Sequence, residues 1–450
     1  MKTIFLIRRC IGVLNQGCLV KLGSAINLLV FMLQLVQKTE AGRMTQVDIA
    51  IIGGSHAGSE TAFKLRQGGF LGSIALLSSE IYLPYQRPPL SKSFLAGETD
   101  VEGILLRNAS AYERANIAWH PATTVTAIDR AGHSLALAGS QSLTYGKLVI
   151  ATGGRARMLP IPGAELAGIY SIRTIDDVKA LRTEFSPGKR LVIVGAGYIG
   201  LEVAAVAVKC GLDVEVVEFA SRVLARVAGP ELSAFYEILH TSHGVKFRLN
   251  TEVETFLGNA QHVTGVRCVG GVELQADLVL VAAGMVPNAE LAEAAGLAVS
   301  NGINVDEFCQ TSDLDILAIG DCAEFPLPYL GRRFRLESVP NALEHARVAA
   351  SVLNGVPSAY NAVPWFWSDQ YDRKLQTVGL SQGHDQIVIR PPRTPEGFVA
   401  FYLKEGYVIA ADCVNAILEF NAAKKLVTGK IPVNGDQLAD PTVDIRTLTI

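Results

Sequence analysis

The sequence lacks a pair of cysteines that could act as a redox-active dithiol. Its 450 residues contain seven cysteines, and none of them lies between Ala57 and Lys209. No two cysteines stand at a CxxC or CxxxxC spacing, so a disulfide framework, a zinc ribbon and a catalytic dithiol are all poorly supported. An odd number of unpaired cysteines is typical of reduced thiols, and we therefore expect a cytoplasmic protein.

The sequence also lacks an excess of charge and a long hydrophobic run. The formal net charge is −3, and no long run of Lys and Arg is present, so we expect no binding to nucleic acid. The apolar stretch of the first 43 residues, residues 22–37, contains Asn27, Gln34 and Gln37 and is shorter than the roughly 20 residues of a membrane span. We interpret residues 1–43 as an upstream extension outside the fold; a membrane anchor or a targeting segment is the alternative.

What the chain does contain is one unit in two copies. The first copy reads VDIAIIGGSHAGSETAFKLRQGG followed by SIALLSSE, and the second reads RLVIVGAGYIGLEVAAVAVKCG followed by LDVEVVE. Each copy joins a β-branched run, a glycine turn, a segment of helical period and a second apolar run. This order predicts two βαβ units whose parallel strands are buried on both faces.

The second copy carries the complete GxGxxG motif in Gly195, Gly197 and Gly200. The glycines allow a tight turn, the approach of a pyrophosphate to the backbone, and close packing of helix on strand. The pyrophosphate then lies at a helix N-terminus, where free N–H groups and the helix dipole favour negative charge. Glu218 ends the next strand, where a carboxylate accepts from both ribose hydroxyls and repels a 2′-phosphate; this predicts NADH rather than NADPH.

The first copy departs from the motif at its middle position. Gly53 and Gly58 keep the outer positions, and Ser55 replaces the middle glycine. Serine is small enough for a dinucleotide still to approach. Ser79 and Glu80 both lie where the acidic residue is expected, and we favour Glu80 as the ligand of the adenosine ribose.

Three further apolar strands end in glycine, in LVIATGG (148–154), LVLVAAG (278–284) and DILAIGDCA (315–323). The last places Asp321 at the carboxyl end of a strand, where ligands of open α/β sheets bind. An alternative role for Asp321 is the N-cap of a following helix.

These motifs together resemble those of the NADH-dependent ferredoxin reductases, a family of FAD flavoproteins that serve oxygenases and P450s. The resemblance covers residues 44–450 and is carried by LPYQRPPLSK, ATGG, GAGYIGLE, TSDLDILAIGD, ESVPNALEHA and PWFWSDQYDRKLQ. It implies an α/β fold with two Rossmann-like domains of the glutathione-reductase type and a C-terminal α+β domain. The implied ranges are 44–154 and 283–326 for FAD, 155–282 for NAD, and 327–450 for the C-terminal domain.

The resemblance also implies the site residues, the cofactors and the partner. The FAD ligands would be Gly53, Ser55, Ala57, Gly58, Glu80, Arg87, Lys92, Val125, Arg173, Asp321 and Val339, and the NAD ligands Gly195, Gly197, Gly200, Glu202, Glu218 and Gly284. Lys92, Glu202 and Trp367 would be catalytic, with Lys92 and Glu202 paired beside the flavin. Hydride would pass from NADH to FAD, and single electrons would then pass to a 2Fe–2S ferredoxin or a rubredoxin, because no protein thiol is at hand to receive them.

Each catalytic assignment has a plainer alternative. Lys92 would otherwise be a surface cation, Glu202 an acid favoured by a helix dipole, and Trp367 a core aromatic, as we expect for Trp365 and Phe366. We expect Ser338 to cap a helix that has Pro340 in its first turn, and His345 to be a packing residue. GRRFR (331–335) and Lys374 are candidates for docking an acidic partner. A different class of function is a redox-dependent NADH-binding interaction protein similar to apoptosis-inducing factor. The oligomeric state is open.

Overall fold

The computed structural model describes residues 46–259, 261–327 and 330–449. The predicted extension 1–43, with its apolar stretch 22–37, lies outside these ranges. Within them, no helix is long and apolar enough to cross a membrane.

The strands of the described chain are β1 (Gln46–Ile52), β2 (Ile74–Leu77), β3 (Ile117–His120), β4 (Val125–Asp129), β5 (Ser134–Leu137), β6 (Gln141–Ile150), β7 (Gly154–Ala156), β8 (Ile169–Tyr170), β9 (Arg190–Val194), β10 (Asp213–Val217), β11 (Lys246–Arg248), β12 (Val253–Asn259), β13 (His262–Cys268), β14 (Glu273–Gln275), β15 (Leu278–Val281), β16 (Met285–Pro287), β17 (Ile303–Asn304), β18 (Ile316–Ala318), β19 (Ala323–Leu327), β20 (Arg332–Phe334), β21 (Trp365–Gln370), β22 (Arg373–Gly379), β23 (Gln386–Ile389), β24 (Phe398–Lys404) and β25 (Tyr407–Val414). The α-helices are α1 (His56–Gln67), α2 (Val101–Ile104), α3 (Ala109–Arg114), α4 (Ile175–Thr183), α5 (Tyr198–Lys209), α6 (Pro230–Ser242), α7 (Glu290–Ala294), α8 (Val339–Leu353), α9 (Ile417–Gly429) and α10 (Gly435–Ala439). Short 3₁₀ turns are formed by Pro88–Ser91, Gly320–Cys322 and Ile445–Thr449.

The first glycine motif lies in a seven-stranded sheet of order β3-β2-β1-β6-β5-β4, with β18 added beside β6. Strands β1, β2 and β3 run parallel, and β18 pairs in parallel with β6 although 165 positions separate Ile150 from Asp315 in the sequence. Every residue of β2 and β18 is buried, as expected for strands covered on both faces. The chain therefore leaves this sheet after β6 and returns to complete it.

The second glycine motif lies in a parallel five-stranded sheet of order β11-β10-β9-β15-β8. Both predicted βαβ units are confirmed, as β1-α1-β2 and β9-α5-β10. An antiparallel ladder of β7 with β16 lies where the chain passes between the two sheets, close to the predicted boundaries at 154 and 283. The domain ranges themselves stay a prediction.

The C-terminal part forms an antiparallel sheet of order β21-β22-β25-β24-β23. Strands β24 and β25 form a hairpin, whose two-residue turn has positive φ at Glu405 (52°) and Gly406 (79°), as in a type I′ turn. Helix α9 packs Phe420, Ala423 and Leu426 into the core of this sheet.

Candidate active site

Glycine is required by close backbone approach at the start of α1. A Cβ atom added at Gly58 would lie 2.0 Å from the carbonyl oxygen of Gly53, and one at Gly53 would lie 2.1 Å from that of Ala151. The second motif repeats the first of these approaches, at 2.2 Å between Gly200 and the Gly195 oxygen. Gly197 has no neighbouring atom within 4 Å of its added Cβ, which leaves open space where the motif would admit a pyrophosphate.

Both glycine-motif helices begin without a capping side chain. Neither Ser55 nor Gly197, the N-cap residues of α1 and α5, makes a side-chain cap bond, and no acidic residue lies in either first turn. Thr174 in contrast caps α4 in a complete capping box. Uncapped N–H groups with a positive dipole end suit a diphosphate. The residues present therefore fit two dinucleotides.

The first copy holds its acidic residue differently from the second. Strand register places Ser78 after β2 where Glu218 follows β10. Glu80 is two residues further on, and its carboxylate pairs with Arg87 at 2.5 Å and accepts from Tyr85 Oη. Arg87 Nε also donates to Ser55 Oγ at 3.4 Å. Glu80 is thus occupied by internal partners, and its role as a ribose ligand stays a prediction.

Glu218 turns back toward the second glycine turn. Its Oε2 accepts from the backbone N–H of Ala196 at 2.7 Å, and its Oε1 accepts from that of Ala220 at 2.8 Å. The carboxylate is thereby fixed beside the loop that would hold the dinucleotide.

A cleft opens between the two glycine-motif helices, the proline loop and α8. The predicted residues that line it are Ser55, Ala57, Arg87, Lys92, Arg173, Glu202, Asp321, Val339 and Trp367. The other predicted residues do not line it: Gly53, Gly58, Glu80, Val125, Gly195, Gly197, Gly200, Glu218 and Gly284. Val125 is buried in β4. The cleft therefore contains most of the predicted FAD ligands together with Glu202, a predicted NAD ligand.

A buried ion pair joins the proline loop to the second glycine helix inside this cleft. Pro88 and Pro89 begin the 3₁₀ turn whose C-cap is Lys92. Lys92 Nζ lies 2.7 Å from Glu202 Oε2, with the Lys92 side chain 19% exposed and that of Glu202 4% exposed. Ser91 Oγ donates to the same oxygen. Lys92 is therefore not a solvated surface cation, and Glu202 has a specific partner beyond the helix dipole.

A second ion pair closes the other side of the cleft. Arg173 Nη2 lies 2.9 Å from Asp321 Oδ2. Asp321 lies in the 3₁₀ turn after β18 and caps no α-helix, so that alternative is wrong. Ser338 caps α8 as predicted, accepting from the N–H of Asn341.

Two histidines near the cleft are held neutral by burial. His345 accepts from the N–H of Gly320 through Nδ1, and burial lowers its pKa to about 3, in accord with a packing role. Burial, aided by the Arg87 charge, lowers the pKa of His56 to about 4. His56 lines the cleft and was missed by the sequence reasoning; its place inside the glycine motif was the available signal.

One expectation about the aromatic residues of β21, the core position of Phe366, is corrected by the structure. Trp367 lines the cleft, as predicted, and Trp365 packs on Phe420. Phe366 was expected in the core, but it also lines the cleft and lies 4.6 Å from the ring of Tyr198. Phe366 lies on the same face of β21 as Ser368 and Gln370, so this face lines the cleft at Phe366 and is buried at Ser368 and Gln370.

The predicted basic docking patch is smaller than expected. Arg335 is 8% exposed and pairs with Glu337, and Arg333 donates to the carbonyl oxygens of Val305 and Glu324. The Arg335 guanidinium serves the fold, because a buried charge needs a partner, whereas Arg333 is exposed. Arg332, Arg333 and Lys374 remain as candidates.

Among the described residues that line the cleft there is no cysteine. Cys268, Cys309, Cys322 and Cys413 are buried and free, and Cys210 is half-buried and free. Burial raises the pKa of the Cys322 thiol, so it is held in the unreactive thiol form.

The family model for pyridine nucleotide-disulphide oxidoreductases matches residues 47–346. The chain belongs to this family. A second model, for the reductase C-terminal domain, matches residues 365–449. The resemblance to the ferredoxin reductases is confirmed, together with a fold of two dinucleotide-binding units and a C-terminal domain.

The relatives of this oxidoreductase include named ferredoxin and rubredoxin reductases. It is 44% identical to putidaredoxin reductase of Pseudomonas putida, over 89% of this chain and 96% of that protein. It is 38% identical to a rubredoxin-NAD(+) reductase of Pseudomonas putida, over 82% and 95%. Among solved structures, the covalent putidaredoxin reductase–putidaredoxin complex matches with a TM-score of 0.86 at 43% identity, covering 89% of this chain and 98% of that one.

Proposed function

We propose that this oxidoreductase is an FAD-dependent NADH:ferredoxin or NADH:rubredoxin reductase that serves an oxygenase or a P450. The observation that carries the proposal is the buried Lys92–Glu202 pair, which lies in one cleft with the predicted FAD ligands Arg173 and Asp321. The named relatives support the same reaction.

FAD, when bound, accepts the hydride of NADH and releases the electrons singly to an iron–sulfur acceptor. The residues of the chain bind and orient the reactants. Uncapped helices α1 and α5 would receive the two pyrophosphates, and Glu218 would receive the ribose of NADH. Lys92 would place a positive charge beside the bound flavin, and the ion pair with Glu202 holds the Lys92 side chain in position.

The absence of a cysteine from the described cleft lining determines where the electrons go. Members of the wider family that reduce disulfides need a thiol pair beside the cofactor, and this cleft offers none. The electrons must therefore leave to an external acceptor, for which we propose a 2Fe–2S ferredoxin or a rubredoxin. We also propose a cytoplasmic location, in keeping with the reduced cysteines.

Anaerobic stopped-flow mixing tests the proposal. The FAD-loaded full chain is mixed with NADH or with NADPH, and a 2Fe–2S ferredoxin or a rubredoxin is then added. We expect rapid bleaching of the flavin with NADH, slow bleaching with NADPH, and rapid reduction of one acceptor. Slow bleaching with a lasting long-wavelength band and no electron delivery would refute the reductase and favour the redox-dependent interaction protein.

A further inference from the structure

A line of buried polar side chains leads away from Glu202 on the side opposite Lys92. Ser368 Oγ donates to Glu202 Oε1 at 2.6 Å, and Gln370 Nε2 donates to Ser368 Oγ at 3.1 Å. Gln370 Oε1 lies 2.8 Å from His240 Nε2, and Tyr371 Oη lies 3.1 Å from His240 Nδ1. The first four residues are each at most 4% exposed. The line crosses α5, β21 and α6.

The carboxylate at one end fixes the direction of every donor in the line. A carboxylate paired with an ammonium group accepts only, so the Ser368 hydroxyl donates to it and accepts from the Gln370 amide. The Gln370 oxygen must then accept the Nε2 proton of His240, and His240 Nδ1 must accept from Tyr371. This tautomer requires a neutral imidazole, and burial lowers the pKa of His240 to about 4. All four donors point toward Glu202, and consecutive hydrogen bonds that run in one direction strengthen one another.

The positions of Ser368 and Gln370 are unusual for a strand interior. They are the two buried residues at alternate positions of β21, on one face of the strand. Burying a hydroxyl and an amide costs free energy unless both are hydrogen-bonded, and apolar side chains would pack there without that cost. A requirement other than packing therefore explains them.

We propose that Ser368 and Gln370 are positioning residues for Glu202. Ser368 donates to Oε1 and is itself held by Gln370, so that Oε2 is presented to Lys92 and to the cleft. The proposal rests on the function proposed above for the Lys92–Glu202 pair. It assigns to the C-terminal sheet, and through it to His240 of α6, a part in the reaction with pyridine nucleotide.

The first test compares Ser368→Ala with Ser368→Thr, which keeps the hydroxyl, and with the control Ser233→Ala. Ser233 is equally buried and donates to the Val223 carbonyl oxygen at 2.6 Å, away from the cleft. We expect Ser368→Ala to lower the limiting rate of flavin reduction by NADH about tenfold, as for loss of a bond to a charged group. Ser368→Thr keeps at least half of the rate, and Ser233→Ala keeps all of it.

Two readouts do not depend on turnover. The dissociation constant of the unreactive analogue tetrahydro-NADH stays within about twofold in Ser368→Ala, because binding is intact and only orientation is lost. A crystal structure of FAD-loaded Ser368→Ala shows the Glu202 carboxylate turned from its Lys92 contact. An unchanged carboxylate with an unchanged rate would overturn the proposal, as would an equal loss of rate in Ser233→Ala.

A second pair of variants tests the end of the line at His240, and it keeps the proposal testable if Ser368→Ala does not fold. His240→Gln retains an N–H able to donate to Gln370, whereas His240→Leu does not. We expect a rate loss of about threefold in His240→Leu and little loss in His240→Gln. Equal rates in these two variants would contradict the role of the line. Failure of the wild-type protein to be reduced by NADH would instead refute the proposed function.

Discussion

Removal of the Lys92 charge should destabilise the protein strongly, because its partner is buried. At 2.7 Å, the attraction between Lys92 Nζ and Glu202 Oε2 is about 6 kcal/mol for an effective dielectric constant near 20. Desolvation offsets much of this in the intact pair, but deletion of one partner leaves the other charge buried, at about 3–5 kcal/mol. Ser91 and Ser368 still donate to Glu202, so we expect about 3 kcal/mol for Lys92→Met.

Urea unfolding under saturating FAD measures this loss, and the chain offers a matched control. Lys209 and Glu98 form an ion pair of almost the same length, 2.6 Å, but their side chains are 71% and 51% exposed. Solvent screening makes such a pair weak, so Lys209→Met should cause no measurable loss. The double variant Lys92→Met/Glu202→Gln should recover much of the stability lost in Lys92→Met. Equal midpoints for Lys92→Met and Lys209→Met, or strict additivity in the double variant, would refute the reasoning.

Three other predictions concern the cofactor sites and the C-terminal sheet. Glu218→Ala should shift the ratio of kcat/KM for NADH over NADPH toward NADPH by about 100-fold, since a carboxylate that repels the 2′-phosphate is lost; an unchanged ratio would remove Glu218 from the ribose site. Gly58→Ala should yield protein without FAD, measured by absorbance, because the new Cβ would lie 2.0 Å from a carbonyl oxygen. The control Gly270→Ala is strained only by its φ of 91° and meets no atom within 4 Å, so it should keep FAD. Burial raises the pKa of Asp412 to about 7, so the stability that it contributes is complete below about pH 4 and is lost as the pH rises to 7. Asp412→Asn should therefore gain about 3 kcal/mol relative to the wild type in urea unfolding as the pH rises from 5 to 8, and a constant difference would contradict the shift.

The fold could be predicted because its signals are local. Each βαβ unit carries its own glycine turn and its own strand periodicity. The turns at Gly53 and Gly195 therefore predict two dinucleotide-binding units without long-range information. The return of β18 to the first sheet needed the resemblance, because parallel pairing over so long a separation leaves no trace in a short window. Two rules give different residues in the first copy. Spacing along the chain favours Glu80, whereas strand register makes Ser78 the counterpart of Glu218, and the role of Glu80 stays a prediction.

Site residues could be predicted from the sequence only where a recognisable local motif contains them. Lys92 follows a proline loop and Glu202 follows a glycine motif, and the structure joins them. Ser368 and Gln370 lie within the PWFWSDQ motif, yet a serine and a glutamine beside three aromatic residues match no catalytic or binding pattern and would be taken for exposed polar residues. Their partners, Glu202 and His240, are 166 and 130 residues away in the sequence. Such a line of buried donors exists only in the assembled core, because its members come from elements that are far apart in the sequence. The direction in which each member donates is set by the charge of Glu202 at the end of the line.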